Sequence, residues 1–572
     1  MRADDPASLG GAATDLARLA DEAWETVLAD QPILATSIGD RRFDDRLIDP
    51  RPAARATHRA RLADLAERAR AVPADDLEPT DAVTRLALIA FVEAELDVAT
   101  ADVARWALDP LDGPQVQLLN LSSYQPVDTP AEGDRLVERW RAMAPYVDRL
   151  AANLVAALDD GLVSPEAPVR AVIDELDDLL DGAAGAEALL APASAAHPDW
   201  SASDRQRFSA ALDTVVREDV LPAFGRYRAT VLDRVLPRAR PNDRPGLGDL
   251  PGGEAAYRRL VRAHTSLALD PAEIHAIGLA AVEQIDAELA ERAGRVLGTA
   301  DGGEARARLR SDPAVHFATS AEVFATSKAA LDRAKEALPD WFGTLPAAPC
   351  EVVEMGSHEA KHSTIAYYLQ PAEDGSRPGR YYLNTTAPET RPRYEAEALA
   401  FHESIPGHHL QLARGQELTG LPAFRRHAGA TAFFEGWGLY TERLSDEMGL
   451  YSAELDRIGI ASFDGWRACR LVVDTGMHAL GWTRDRAIAF MLDHTALARD
   501  NIVNEVDRYI TWPGQALAYK LGQLEIRRLR DEAAGRLGGR LDMRAFHDVV
   551  LGEGALPLPV LRAVVERRFP GG

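Results

Sequence analysis

The run His402-Glu403-Ser404-Ile405-Pro406-Gly407-His408-His409 carries the residue types of a hydrolytic metal site. Zinc takes about four ligands at roughly 2.0–2.2 Å from His, carboxylate or thiolate, and a catalytic zinc leaves one position for water. The usual helical solution is His-Glu-x-x-His, with two imidazoles one turn apart and the Glu beside the water. Here Pro406 stands where the second His of that pattern would be. On an unbroken helix His402 and His408 would point about 240° apart and sit roughly 9 Å apart along the axis, too far to share an ion. The helix cannot run on unbroken. Pro406 lacks the N–H that the His402 carbonyl needs, its ring collides with that carbonyl, and Ile405 is steered out of αR. Gly407 tolerates almost any backbone angle. A two-residue bulge at Pro406-Gly407 would return His408 to the place of the second ligand, and such irregularities concentrate at functional sites. His409 shares the face of His402 but lies about 10.5 Å along a regular axis. His408 is the preferred ligand and His409 the alternative.

The third ligand should come from a neighbouring helix. Phe433-Phe434-Glu435-Gly436-Trp437-Gly438-Leu439-Tyr440-Thr441-Glu442 is apolar apart from two acids seven positions apart, hence on one helical face. A carboxylate in such company is costly to bury unless it is paired or metal-bound. Glu435 is the expected ligand, and Glu442 either binds the ion or orients a His through its other ring nitrogen. The chemistry expected of the set is water-mediated amide hydrolysis. Zinc would acidify a water and polarise the carbonyl, and Glu403 would carry the proton to the leaving amine.

Other residues are candidates for substrate contact. Arg470, Asp474 and His478 recur at steps of four. They suit an internal salt-bridge ladder, or, through Arg470, a substrate carboxylate. The strand Tyr381–Asn384, with Tyr382 and Asn384, could line a channel and pair with an extended peptide if its edge were exposed. The pair His358/His362 and His427 read as ordinary loop or surface histidines.

These residues must be positioned by helices. Apolar residues recur at steps of three and four, as in Leu136, Val137, Trp140, Met143, Val147, Leu150 and Leu154. Thr129-Pro130 with Glu132 marks the start of that helix as a capping box, and Asp270-Pro271 and Thr483 mark two more. A β-hairpin is predicted over about 364–384, from Thr364–Leu369 and Arg380–Asn384, and a helix from near Pro392 into His402. Pro and Gly crowd between Leu236 and Gly253, which predicts a division into an N-terminal helical lobe (1–240) and a C-terminal lobe (241–572) that holds the hairpin and the metal site.

The 572 residues are 46% hydrophobic and 27% charged, enough for a large core, and the net charge is −25. An acidic surface disfavours nucleic acid and anionic membranes. Two cysteines, Cys350 and Cys469, exclude a disulfide framework and a Cys-rich metal site. The start Met1–Pro6 lacks the features of a signal peptide, and no run approaches the roughly 18 apolar residues of a transmembrane helix. A cytoplasmic protein is expected, without nucleic-acid or membrane partners.

Three segments, His402–Glu442, Arg467–Trp482 and Arg508–Lys520, with Ala35–Asp40 near the N-terminus, resemble a bacterial family catalogued as domain of unknown function family 885. That resemblance implies kinship with the zinc metallopeptidases that use a Glu as third ligand (the His-Glu-motif, or gluzincin, peptidases). It further implies a mainly α, two-lobed plan similar to the angiotensin-converting, thimet-oligopeptidase and Taq-carboxypeptidase kinds, around a deep cleft. It also implies an oxyanion-stabilising Tyr: Arg508-Tyr509 looks like the Arg-Tyr pair of the angiotensin-converting type. Tyr519 is the second candidate for that role. The expected function is a zinc-dependent peptidase (carboxypeptidase, dipeptidase or oligopeptidase-like) on short peptides. The rivals are a metal-dependent amidase or deacylase on a small non-peptide amide, and a helical binding protein without catalysis.

Overall fold

The computed structural model describes residues 6–181, 183–356, 364–372, 375 and 377–570. His358 and His362 lie outside them. The chain is mainly helical, with one small three-stranded sheet. The helices that build the core and the site are α1 (Pro6–Asp30), α2 (Pro79–Ala101), α3 (Pro130–Asp159), α4 (Pro271–Leu297), α5 (Arg393–Glu403), α6 (His408–Gln416), α7 (Thr431–Glu447), α8 (Glu454–Ala479), α9 (Arg499–Thr511) and α10 (Ala518–Leu537).

Local sequence explains where they start. Thr129 and Glu132 close the capping box of α3 reciprocally. The Asp270 side chain accepts from Ala272 N at the head of α4, and Thr483 caps the helix Arg484–His494. The stripe Leu136, Trp140, Met143, Val147 and Leu154 is buried. It faces a core formed wholly by residues between 108 and 235. A second, larger core joins residues of α1 and α2 to residues between 317 and 569. The Pro/Gly-rich stretch 236–253 is laid against the C-terminal end of α8, with Leu247 buried. At Gly246 a Cβ would come within 1.8 Å of Met477 O, so the chain there approaches backbone to backbone.

Around the site, α8 packs against α4 and α5, and α7 against α10 and α5. The α7–α10 crossing is set by glycine: a Cβ on Gly522 would lie 1.8 Å from Ala432 O, and one on Gly436 would lie 2.5 Å from Gly522 Cα. Four charged side chains, two of them buried, fasten the same helices. Asp464 of α8 pairs with Lys520 of α10 and with Arg443 of α7, the latter at 2.7 Å. Arg443 also reaches Glu288 of α4 at 2.9 Å.

The predicted hairpin is present as β2 (Ala366–Leu369) antiparallel to β3 (Gly379–Leu383), after β1 (Cys350–Glu354). Sequence reading missed β1, which runs parallel to β3, so the order is β1-β3-β2. This corrects the expectation of an exposed edge at Tyr381–Asn384. β3 is the central strand, and Tyr382 lies opposite Val353 on one side and Tyr367 on the other. Its ring stacks on Tyr367 at 4.9 Å. Asn384 is buried and holds the following turn, its Oδ1 accepting from Thr386 N and Oγ1. Neither backbone is free to pair with a peptide.

Candidate metal centre

His402 hangs from the last turn of α5 and is buried. Its Nδ1 donates to Glu442 Oε1 of α7 at 2.8 Å, which fixes the ring and turns Nε2 inward. The ring fits because Gly438 lies beneath it: a Cβ there would come within 2.6 Å. Beyond Glu403 the helix stops rather than bulging, which corrects the expected two-residue bulge. Residues 404–407 form a turn with a cis Ile405–Pro406 bond, and a new helix, α6, starts at His408. Trp437 Nε1 donates to Pro406 O at 3.0 Å and ties this turn to α7. Gly407 is required by space, since a Cβ would sit 1.9 Å from His402 O.

Restarting the helix brings His408 back to His402, with ring centres 4.7 Å apart. Ligand atoms of His402, Glu403 and His408 lie within 4.8 Å of one another. Glu435 Oε2, projecting from α7, is 3.6 Å from His402 Nε2 and 3.7 Å from His408 Nε2. Ligands about 2.1 Å from a tetrahedral ion are separated by about 3.4 Å, so these spacings suit His402, His408 and Glu435 around one cation. His409 points elsewhere. Its Nε2 donates to Ala348 O at 3.1 Å, and Tyr368 of β2 donates to its Nδ1 at 2.8 Å. It braces α6 against the sheet.

The electrostatics favour a cation at this point. Burial would strip the proton from His402, but Glu435 and Glu442 reverse that and raise its pKa to about 9. Burial raises Glu435 too, yet His402 and His408 pull it down to about 2. Partial burial and repulsion by His402 lower His408 to about 4, and its Nδ1 has no partner among the described residues. The Glu435 carboxylate and the unprotonated His408 imidazole thus face His402 Nε2, where a bound cation would take the place of the His402 proton, and zinc fits the donor chemistry. Glu403 is half-buried beside them, and burial lifts its carboxyl to about 7 against the pull of His402.

The remaining candidates divide. Tyr519 opens α10, and its hydroxyl lies beside the Glu435 carboxylate and helps hold it low. Tyr509 of α9 donates to Glu505 Oε2 at 2.6 Å and accepts from Arg470 Nε at 2.9 Å and Trp466 Nε1 at 3.0 Å, so its hydroxyl is fully engaged. Arg470 also reaches Glu505 at 3.0 Å. The expected ladder Arg470–Asp474–His478 does not form. Asp474 accepts from Tyr257 and Gly514 N, and the His478 ring bonds Leu247 N and Tyr509 O, each side chain serving a different neighbour. Sequence reasoning missed Arg467, Trp466 and Glu505. The i, i+3 spacing of Arg467 and Arg470 on one helix was the available signal. A cavity of about 500 Å³, lined by Trp24, Phe91, Glu95, Phe424 and Phe434, borders Glu435.

Fold and site together define a mainly helical protein with a part-buried His–Glu cluster of metal-binding composition. The chain belongs to the family described as "Bacterial protein of unknown function (DUF885)", which it matches over residues 32–565. It is similar to a solved structure described as "the putative lipoprotein from Colwellia psychrerythraea", at 26% identity and TM-score 0.88, covering 98% of this chain and 100% of that one. A "putative lipoprotein of unknown function from Shewanella oneidensis" shares the fold at 17% identity and TM-score 0.73, over 96% and 99% of the two chains. No curated protein matches. The expectation of a cytoplasmic protein is corrected by the Colwellia neighbour, which at 26% identity is described as a "putative lipoprotein". Among the described residues no helix is long and apolar enough to cross a membrane.

Proposed function

We propose that this protein is a zinc-dependent hydrolase, a peptidase that cleaves short peptides in the manner of the gluzincins, within a two-lobed helical plan around a deep cleft. The observation that carries the reading is the meeting of His402 Nε2, His408 Nε2 and Glu435 Oε2 at near-tetrahedral spacing with Glu403 alongside. Zinc bound there would supply Lewis acidity and an acidified water.

The chain's own residues do the rest. Glu403, lifted towards neutral pH by burial, takes the water's proton and returns it to the leaving nitrogen. Tyr519, beside Glu435, donates to the oxygen of the scissile carbonyl as it gains charge. Tyr509 is a poorer candidate, because donating to substrate would break its bond to Glu505. Glu442 keeps the His402 ring in place. The cavity bordering Glu435 has the volume of a small-molecule or short-peptide site.

The test is turnover of a panel of di- to hexapeptides and of small non-peptide amides by the zinc-loaded protein and by Glu403→Gln. We expect peptide cleavage by the wild type and a fall in kcat of about 10²–10⁴-fold in the variant with zinc retained. Cleavage confined to non-peptide amides would replace peptidase by amidase. Absence of any turnover dependent on Glu403 would overturn the hydrolase reading.

A further inference from the structure

Arg467 of α8 is a buried guanidinium that forms no ion pair within 4.0 Å among the described residues. Its side chain is 5% exposed, and Nε and Nη1 are enclosed with no hydrogen-bond acceptor among the described residues. Its Cζ lies 4.2 Å from the centre of the Trp466 ring and 4.5 Å from that of Phe463, so aromatic faces rather than carboxylates surround it. Arg470, one turn on, lies 4.5 Å from Trp466 and 4.3 Å from the ring of Tyr519, and its Nη1 also lacks an acceptor. Arg508 of α9 leaves its Nε unpartnered. Among the described residues Glu505 is the carboxylate that hydrogen-bonds this group, accepting from Arg470 at 3.0 Å and from Arg508 at 3.4 Å. Glu395 feels the charge of Arg467 but makes no ion pair with it, and its Oε1 accepts from Ser462 Oγ at 2.7 Å.

The cluster adjoins the candidate metal centre. Tyr519 spans the two, with its ring on Arg470 and its hydroxyl beside Glu435. The charge of Arg467 is felt by both Glu403 and His408. Leaving an unpaired guanidinium out of water is costly, and a fold that holds one beside a reactive centre is arranged for an anion that arrives from outside. The planar donors of a guanidinium match a carboxylate.

We propose that Arg467, with Arg470 and Arg508 beside it, forms an anion subsite that takes the terminal carboxylate of a peptide substrate, so that the protein acts at free carboxyl ends. The inference rests on the hydrolase reading for its substrate, but the binding it requires can be measured without turnover. In zinc-loaded Glu403→Gln protein, calorimetric titration compares trialanine with trialanine amide, with Arg467 intact and in Arg467→Met and Arg467→Lys. The free acid binds at least about tenfold tighter than the amide when Arg467 is present, a factor in the range of a charge-assisted bond. That preference collapses to about twofold or less in Arg467→Met and is partly restored in Arg467→Lys.

Equal affinity for acid and amide, no binding of either, or a preference that survives Arg467→Met overturns the proposal. Thermal melting separates binding from folding. Arg467 makes no hydrogen bond or ion pair among the described residues, and Met retains an apolar stem against the Trp466 and Phe463 rings, so Arg467→Met keeps the wild-type melting temperature. A fall of more than about 5 °C would mark a structural arginine and overturn the subsite. The two readings fail separately. Acid preference lost in Arg467→Met, without turnover in wild type, leaves the subsite and removes the hydrolase. Turnover of acid and amide alike leaves the hydrolase and removes the subsite.

Discussion

At the scale of single residues, the geometry of His402 depends on Glu442. This carboxylate is completely buried, one oxygen bonds His402 and the other has no partner among the described residues. Removing it frees the ring to rotate and withdraws a negative charge from the site. Glu442→Ala is expected to weaken zinc binding by about 10–100-fold, measured by competition with a chromophoric chelator, and unchanged affinity would make Glu442 a packing residue only. The sequence exposed much of this chemistry. The His402-Glu403 pair, the impossibility of a regular helix through Pro406, and the two acids on one face of α7 were all legible, because each follows from backbone geometry or burial cost. The choice between His408 and His409 was not. It turned on Ala348 and Tyr368, residues distant in sequence that occupy both nitrogens of His409. Arg467 was equally hidden, since its meaning lies in the hydrogen-bond acceptors that Nε and Nη1 lack among the described residues.

At the scale of elements, three helices are joined by buried charge. Asp464 is pushed up by burial, but Lys520 and Arg443 more than reverse this and hold it well below its ordinary value of 3.8. A group with a depressed folded pKa stabilises the fold above its unfolded pKa, and that contribution is lost as pH falls through the folded value. Asp464→Asn leaves Lys520 buried and uncompensated, at a cost of about 3–5 kcal/mol near neutral pH. The difference from wild type, measured by urea unfolding, should narrow as pH falls below about 4. A constant difference would mean that the carboxylate charge is not what matters. Helix starts were readable here, because caps such as Thr129/Glu132 are local. β1 escaped notice because its partner strand is separated by a long connection, and parallel pairing leaves no turn signature between neighbours. That omission is what made β3 look like an edge.

At the scale of the whole molecule, the mainly helical class was evident from periodicity, but the arrangement of cores was not. Leu16, Leu19 and Val27 of α1 join the core that also holds Phe401, Phe433 and Trp437, chain neighbours of residues in the candidate metal centre. Nothing in their local pattern names that distant partner. Compartment was misread for a related reason: composition and charge describe how a surface meets water, not where a protein is carried. The central claim is that two histidines separated by a broken helix hold one zinc with Glu435. It is tested most directly by the metal content of protein purified without chelator and dialysed against zinc, for wild type, His408→Ala and His409→Ala. The account predicts about one zinc per chain in wild type and in His409→Ala, and its loss in His408→Ala. A wild type that binds no zinc, or a His408→Ala variant that keeps it, would contradict the site as described.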